Sequence, residues 1–506
     1  MKGGQNLFKR FLSLLTARLL TTVIAILSTP IVARLLGPGG YGDYAVMLSI
    51  LSLYMIPVSG SVTEGVQKYV AEYRAGTDWQ ENVVRFYAIV GVGIGLVAAV
   101  VLYAFTALGG AAWAFGPDFT LYFFLLAGLV LATQFRALTH HVVLGFGVEQ
   151  ISGTLNVVRK ATTVGVGIAL VLAVGLGVEG MLFGHVLANV LVGVLAGVVI
   201  VRRLSVRSLL GTIPDSFPYR EVLSFNALNI VLVLMTLSLY HGDVIMLRSF
   251  VGSETTGFYK AALALAEYLW AVPKALQVVL LHSSSTLWTD GRHEEITRLA
   301  SRVSRYTILL VVLLAIGLAA LADELVPLYY GEAFAVATAP LLLLIPGVVG
   351  FAAARPLQAI GQGSGQITTL VAASGTAAAV NLGLNGLLIP RYGMMGAAVA
   401  TSLSYGSMFA LLVWASRRIG FDPLQDLRPV RIAATALVSA VPIVLLARWI
   451  HHDVVALLVV PPTGLVVYST VALLTGALDR AEVLDILRKL PDPIGSAVES
   501  GVVWLQ

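Results

Sequence analysis

Stretches of roughly 20 apolar residues, separated by short polar connections, recur about 14 times along the chain, the first near 13–36 and the last near 454–475. A backbone inside hydrocarbon must satisfy its own hydrogen bonds, so such runs are read as membrane-spanning helices. Composition supports this: 58% of the 506 residues are hydrophobic, 12% are charged, and the mean hydropathy is +0.89. A water-soluble chain of this length has too little polar surface to cover so much apolar material. The expected fold class is therefore an all-α polytopic membrane protein with about 14 helices.

The basic residues give an independent reading of the topology, because Lys and Arg collect on the cytoplasmic side. Of the 32, 25 fall on alternate segments starting from the N-terminal one; five (Arg34, Arg248, Lys260, Arg391, Arg448) fall on the others, and Arg18 and Lys274 lie within spans. In that count Arg136, Arg159, Lys160 and Arg305 belong to inner segments. Both termini are expected to be cytoplasmic. The net charge of +5 thus follows from topology, and no basic stripe points to nucleic acid. Zero cysteines exclude disulfides and thiolate chemistry. The segments 64–85, 202–222 and 282–304 are too short for a catalytic domain, and neither a metal-binding Asp pair nor a nucleophile elbow is present. No enzyme activity, cofactor or metal is expected. The adjacent His140-His141 and His451-His452 point in two directions on a helix. Gly91-x-Gly93-x-Gly95 reads as a close-packing face.

Within this apolar background one pattern occurs twice. Arg34-x-x-Gly37 leads to Gly42-Asp-Tyr44, and Arg248-x-x-x-Gly252 leads to Gly257-Phe-Tyr259, each between two spans and each followed by a proline, Pro57 or Pro273. Gly177-x-x-Gly180 and Gly393-x-x-Gly396 form a second pair, preceding Arg202-Arg203 and Arg417-Arg418. Two related halves of this kind are the build of a transporter.

Pro30 to Tyr44, followed by Lys68-Tyr-Val-Ala-Glu72-Tyr73, resembles the opening of polysaccharide-export flippases of the multidrug/oligosaccharidyl-lipid/polysaccharide exporter superfamily. Asp243-Val-Ile-Met through Gly257-Phe-Tyr259, then Asn385 to Thr401, is similar to that family's closing signature. The resemblance implies two pseudo-symmetric six-helix lobes, 1–212 and 213–420, in a V around a central cavity. Two appended helices and a cytoplasmic tail would fill 421–506. It also implies alternating access, in which the head of a polyprenyl-linked glycan crosses the cell membrane inside the cavity of a monomer while its tail stays among membrane lipids.

Charged residues inside spans are candidates for function, since a charge facing lipid is costly. Lys260, Glu267 and Lys274 are spaced seven apart, which on a regular helix drifts by only about 20° per step and sets all three on one stripe. Arg18 and Lys274, each about 10 Å from the expected inner boundary at ~1.5 Å per residue, would bind an anionic head group. Lys260 joins them as a cavity cation. Glu267 is the candidate for coupling to Na+ or H+. Asp243 either pairs with Arg248 to latch the outer mouth or caps a helix end, and Arg34 and Arg248 position the repeated turns. Glu64, Arg355, Asn381 and Asn385 either touch the cavity or pack helices.

Three functions are compatible with these residues: a lipid-linked oligosaccharide flippase, a drug or cation antiporter of the same superfamily, and a membrane glycosyltransferase. An antiporter would favour acids and aromatics in the cavity, whereas the charges here are mostly basic. A glycosyltransferase would need a larger outer loop than any present.

Overall fold

The computed structural model describes residues 2–72, 74, 78–204, 211–223, 227–479 and 481–482, all helix, turn or coil, with no strand among them. The expected cytoplasmic tail beyond residue 482 lies outside the described residues. Among the described residues twelve helices are long and apolar enough to cross a membrane. Two of these are too long to be single passes.

Helix α1, Lys2–Ala71, folds at Gly37, whose φ of 65° and ψ of 174° lie outside the helical region. Glycine adopts positive φ without the Cβ penalty, and Pro38 both disfavours a helical residue before it and starts the next helix well. The helix α14, Ile367–Ile419, folds in the same way at Gly393 (φ 55°, ψ −133°). Counting each folded helix twice turns twelve into fourteen passes, in agreement with the apolar runs. The other helices are α2 Trp79–Ala107, the short α3 Gly110–Phe115, α4 Phe119–Gly145, α5 Glu149–Val174 and α6 Val178–Arg203. They continue with the short α7 Tyr219–Leu223, α8 Ala227–Phe250, α9 Ser253–Glu267, α10 Ala271–Thr289 and α11 His293–Ala320. The short α12 Ala322–Tyr330, α13 Thr338–Gly363, α15 Pro429–Trp449 and α16 Asp453–Leu474 complete the set.

Each helix sorts its residues by size. On α2, Ile89, Val92, Leu96, Val97, Val100 and Val101 are exposed, an apolar stripe at helical spacing that suits lipid. The opposite face carries Gly91 and Gly95, where an added Cβ would come within 3.2 and 3.0 Å of Gln134 on α4. Small residues let helices approach where the solvent is as apolar as the side chains; Gly91 and Gly95 do this, whereas Gly93 of the same run is exposed with nothing within 4 Å. The repeated hairpins close similarly: a Cβ on Gly180 would meet Leu170 at 3.2 Å, and one on Gly396 would meet the Leu388 carbonyl at 2.3 Å.

The residues group into two compact units. Unit 1 holds Met1–Ala262, Tyr329–Pro340 and Ser374–Thr401; unit 2 holds Leu263–Leu328, Leu341–Ala373 and Ser402–Gln506. In unit 1, α4 packs on α2 and α6, α5 on α6, and α8 on α1. In unit 2, α15 and α16 pack on each other and on α11. There Arg305, fully buried, donates to Asp426 at 2.7 Å and also to Glu482, tying α11 to the segments before α15 and after α16. This places Arg305 near the start of a helix and within a salt-bridge network.

Candidate functional site

The two repeated turns meet each other inside unit 1. A Cβ on Gly42 would lie 2.0 Å from the Ser253 carbonyl oxygen, and one on Gly257 would lie 1.9 Å from that of Pro38. Each copy therefore seats its glycine against the backbone of the other, which no larger residue allows without displacement. Gly37 and Gly252, the first glycine of each copy, both take positive φ. Around this contact Tyr41 packs on Tyr330 and Phe334, with ring centroids 6.4 and 6.1 Å apart.

Arg248 serves this contact, with a partner that the spacing of the sequence did not suggest. Its Nε donates to Asp43 Oδ1 at 2.9 Å, its Nη2 donates to the Phe115 carbonyl at 2.7 Å, and its guanidinium lies 4.7 Å from the Phe119 ring centre. The expected Asp243–Arg248 pair does not form, because Asp243 faces the opposite way, into the interior. Asp43 sits beside Gly42, so the glycine contact itself delivers the carboxylate to Arg248. Arg34 is exposed, its side chain about 3.8 Å from where a Cβ on Gly331 would stand.

Asp243 is fully buried and stands at the centre of a cluster of oxygen atoms. Its Oδ1 accepts from the Val244 amide at 2.7 Å, and its Oδ2 accepts from the Thr401 hydroxyl at 3.0 Å and from the Tyr259 hydroxyl. The Tyr259 hydroxyl oxygen also lies 3.1 Å from Thr401 Oγ1, the Asn381 amide reaches the same threonine oxygen at 3.5 Å, and Asn385 donates to Asn381 Oδ1 at 3.0 Å. Asn385 Oδ1 is buried without a hydrogen-bond partner. Asn381 and Asn385 fall one helical turn apart on α14, Thr401 follows on its second arm, and the Tyr259 of the repeated turn closes the cluster. A carboxylate, two amide oxygens and hydroxyls gathered in one place form a donor set for a hard monovalent cation or a proton.

The matching tyrosine does the same in the first half of the chain. Tyr44 OH lies 2.7 Å from His185 Nε2. His185 follows Gly177 by eight residues, and Thr401 follows Gly393 by eight, so Tyr44–His185 and Tyr259–Thr401 are corresponding contacts. His140 and His141 turn to different partners, Ser152 at 2.9 Å and the Ala137 carbonyl at 2.7 Å.

The remaining sequence candidates lie apart from this cluster. Lys260 is half-buried in unit 1, close enough to act electrostatically on Asp243. Glu267, half-buried, and Lys274, exposed, belong to unit 2. Between them a 3-10 turn, Tyr268–Trp270, interrupts the helix, so the even seven-residue stripe does not continue on a regular helix from Glu267 to Lys274. Arg18 is exposed on α1, its carbonyl accepting from the hydroxyls of Thr21 and Thr22 at 2.8 and 2.9 Å. Arg355 is buried in unit 2, stacked over Phe351 and Trp270 at 4.6 and 5.0 Å, with Nη1 on Gln277 Oε1 at 3.2 Å. Arg136 lies on α4 and Arg159 and Lys160 on α5, all three half-buried.

A multi-pass helical membrane protein with two repeated halves, whose buried polar groups gather behind the repeated turns, has the build of a secondary transporter. The chain belongs to the polysaccharide biosynthesis protein family of the multidrug/oligosaccharidyl-lipid/polysaccharide exporter superfamily: the family profile matches residues 7–271, and the profile described as lipid II flippase MurJ matches 260–461. It is similar to the probable low-salt glycan biosynthesis flippase Agl15 of Haloferax volcanii, with 22% identity over 504 residues, 96% of this chain and 100% of that one. Among solved structures it resembles the lipid II flippase MurJ in an inward closed conformation, with TM-score 0.73 and 12% identity over 94% of this chain and 100% of that one. It also resembles an inward-facing multidrug resistance MATE family transporter, with TM-score 0.68 and 13% identity over 81% and 98% of the two chains. At these identities the structural likeness concerns the fold.

Proposed function

We propose that this protein is a flippase that moves a lipid-linked oligosaccharide, or a lipid-phosphate sugar, from the cytoplasmic to the outer leaflet of the cell membrane for surface glycan assembly. The observation that carries this reading is the end-to-end similarity to a glycan biosynthesis flippase, which spans both halves and both repeated turns. Charge supports it over the drug or cation antiporter. The cations Arg18, Lys260 and Lys274 outnumber the acid Glu267 among the charged candidates on spans 1 and 8, and an anionic head group is the substrate such a set suits. Arg18 and Lys274, each exposed on its own helix, would meet the lipid phosphate as it enters from the cytoplasmic side. The protein carries out no chemical step. It acts as a monomer with both termini in the cytoplasm, and its two lobes follow the repeat, 1–212 and 213–420, with 421–506 appended.

Transport against a gradient needs an energy source, and the Asp243 cluster is better suited to a coupling Na+ or H+ than Glu267 is. It is buried, rich in oxygen and tied to Tyr259 of the repeated turn, so occupation by a cation would bear directly on the turn contact. Deleting the gene and measuring lipid-linked sugar on each leaflet tests the main reading. Accumulation on the cytoplasmic leaflet with loss of surface glycan is expected; normal glycans with altered drug sensitivity would favour the antiporter. In proteoliposomes, an imposed Na+ or H+ gradient should drive transport by wild type, and Asp243→Asn should abolish the dependence on the gradient.

A further inference from the structure

The chain that joins the two halves is not a free linker. Its segment 211–223, which ends in α7, is built onto the end of the first half where α1 finishes and α2 begins. Phe217 is buried, stacked on Trp79 of α2 with ring centres 5.6 Å apart and set against Phe86 at 5.3 Å, and Tyr219 packs edge-on against Phe86. The backbone of this strap is held as well. The Tyr69 hydroxyl donates to the Glu221 carbonyl at 3.0 Å, the Tyr87 hydroxyl donates to the Val222 carbonyl at 2.9 Å, and Arg74, lying over Trp79, pairs with the Glu221 carboxylate at 2.7 Å. Gly65 makes room for Tyr87, since a Cβ there would collide with its hydroxyl. By the repeat, the strap opens the second half; by these contacts it is part of the first.

Helix α8 begins four residues after α7 ends, so chain length alone keeps its first turn within about 14 Å of the strap. Its flanks are loose. Toward the second arm of α1, Leu53 and Pro57 face Leu234 and Ile245 across an open apolar cleft of about 380 Å³, bridged by His241, which meets Ser49 at 3.2 Å. Toward α14, the flexible Met235 and Met246 lie 3.9 and 3.8 Å from where a Cβ on Gly375 and Gly386 would stand, so adaptable side chains rest on small residues instead of interdigitating with large ones. The stronger polar ties farther along are exchangeable. Asp243 to Thr401 is the contact a coupling cation would rearrange, and Arg248 to Asp43 belongs to the contact between the repeated turns.

A helix tied at one end and loosely packed along its length moves by tilting about the tied end. We propose that the strap 211–223 is the pivot of α8: the end of α8 next to the strap stays with the first half, while the far end, which carries Arg248, swings when the repeated turns part. At ~1.5 Å per residue the 24 residues of α8 span about 36 Å, so a tilt of about 10° moves the far end by about 6 Å and Val231, one turn from the pivot, by about 1 Å. Asp243 rides about 24 Å along this lever. A cation that changes its hold on Thr401 therefore acts on the tilt with most of the helix as its arm.

Because the chain has no cysteine, pairs of thiol-directed spin labels can be placed on it without removing any residue first. The test is the distance between two such labels on the purified full-length protein in phosphatidylcholine nanodiscs, measured with the repeated turns intact and again with Gly257→Ala, which wedges them apart. Asp78→Cys with Val231→Cys reads the strap end of α8, and Leu108→Cys with Phe250→Cys reads the far end; all four positions are exposed. The expected result is that Gly257→Ala changes the far distance by about 5 Å or more and the strap distance by about 1 Å or less. Phe217→Ala with Tyr219→Ala should then broaden the strap distance. A strap distance that shifts as much as the far one, a far distance that does not move, or a strap distance indifferent to the loss of both aromatics overturns the pivot. Should Gly257→Ala fail to fold, Gly42→Ala presses on the same contact from the other side, and Tyr87→Phe, which removes only the hydrogen bond to Val222, stands in for the aromatic pair; each carries the same expectation. No transport enters these distances, so the pivot and the flippase reading stand or fall separately.

Discussion

At Asp243 a carboxylate is held by two hydroxyls and a backbone amide while an amide oxygen nearby, on Asn385, has no donor. An acceptor left bare in a buried place costs about 1–3 kcal/mol, a cost a bound cation or proton removes. Asn385→Leu removes this bare acceptor together with the donor to Asn381 Oδ1; if the cluster takes Na+ or a proton as proposed, wild type should gain melting temperature with Na+ or at acid pH, and the variant should lose that gain. A melting curve with and without Na+ is the check, and an undiminished response would take Asn385 out of the site. The sequence marked Asp243 as a family position, but it could not choose its partner. Arg248 is near in the chain, whereas Asp43 is brought to it only by the folding of two turns about 200 residues apart. Asn381, Asn385 and Thr401 could have been found from the i, i+4 spacing of the asparagines together with the repeat, which pairs Thr401 with His185.

Among the elements, the folded helices were the most legible. Gly37 followed by Pro38, and Gly393 within a long apolar run, are the local chemistry of a break, and both take positive φ. The 3-10 turn Tyr268–Trp270 was not legible, because nothing in Tyr-Leu-Trp disfavours a regular helix; the turn is set by packing, with Trp270 5.0 Å from Phe351 and 5.7 Å from Tyr405. Nor could spacing reveal that Glu482 reaches back to α11. Its carboxylate meets Arg305, Arg302 and the Tyr306 hydroxyl, and breaking such a buried pair costs about 3–5 kcal/mol. Glu482→Ala is expected to lower the melting temperature and to expose the 420–428 connection to protease, both measurable on the purified protein. Gly42→Ala and Gly257→Ala each force a Cβ onto a backbone oxygen, an overpacking worth about 1–3 kcal/mol. If the turn contact closes one face of the transporter, either variant should shift an accessibility label placed at Tyr41 from protected to reactive.

For the molecule as a whole, hydropathy was enough for the fold class, because the bilayer allows so few structures, and the repeat was enough for two related halves. The charges were harder. A rule that assigns basic residues to the cytoplasmic side speaks for the ends of spans, and Arg136, Arg159 and Lys160 stand on α4 and α5 rather than in the connection between them, so the count alone gives them no further role. At this scale the expected result is that neutralising Arg18 and Lys274 together reduces glycan export at least 10-fold without changing protein abundance, as read from surface glycan and membrane immunoblot. Undiminished export would remove both from the substrate path.

The interlock of Gly42 with Ser253 and of Gly257 with Pro38 is isologous: the same patch on each copy receives the same patch of the other, as in a twofold dimer. A surface of that kind serves two separate half-length chains as well as one fused chain. An ancestor encoding a single half could thus have assembled in pairs before duplication joined them, and fusion would then have freed the two tyrosines to take different partners, Asp243 for Tyr259 and His185 for Tyr44.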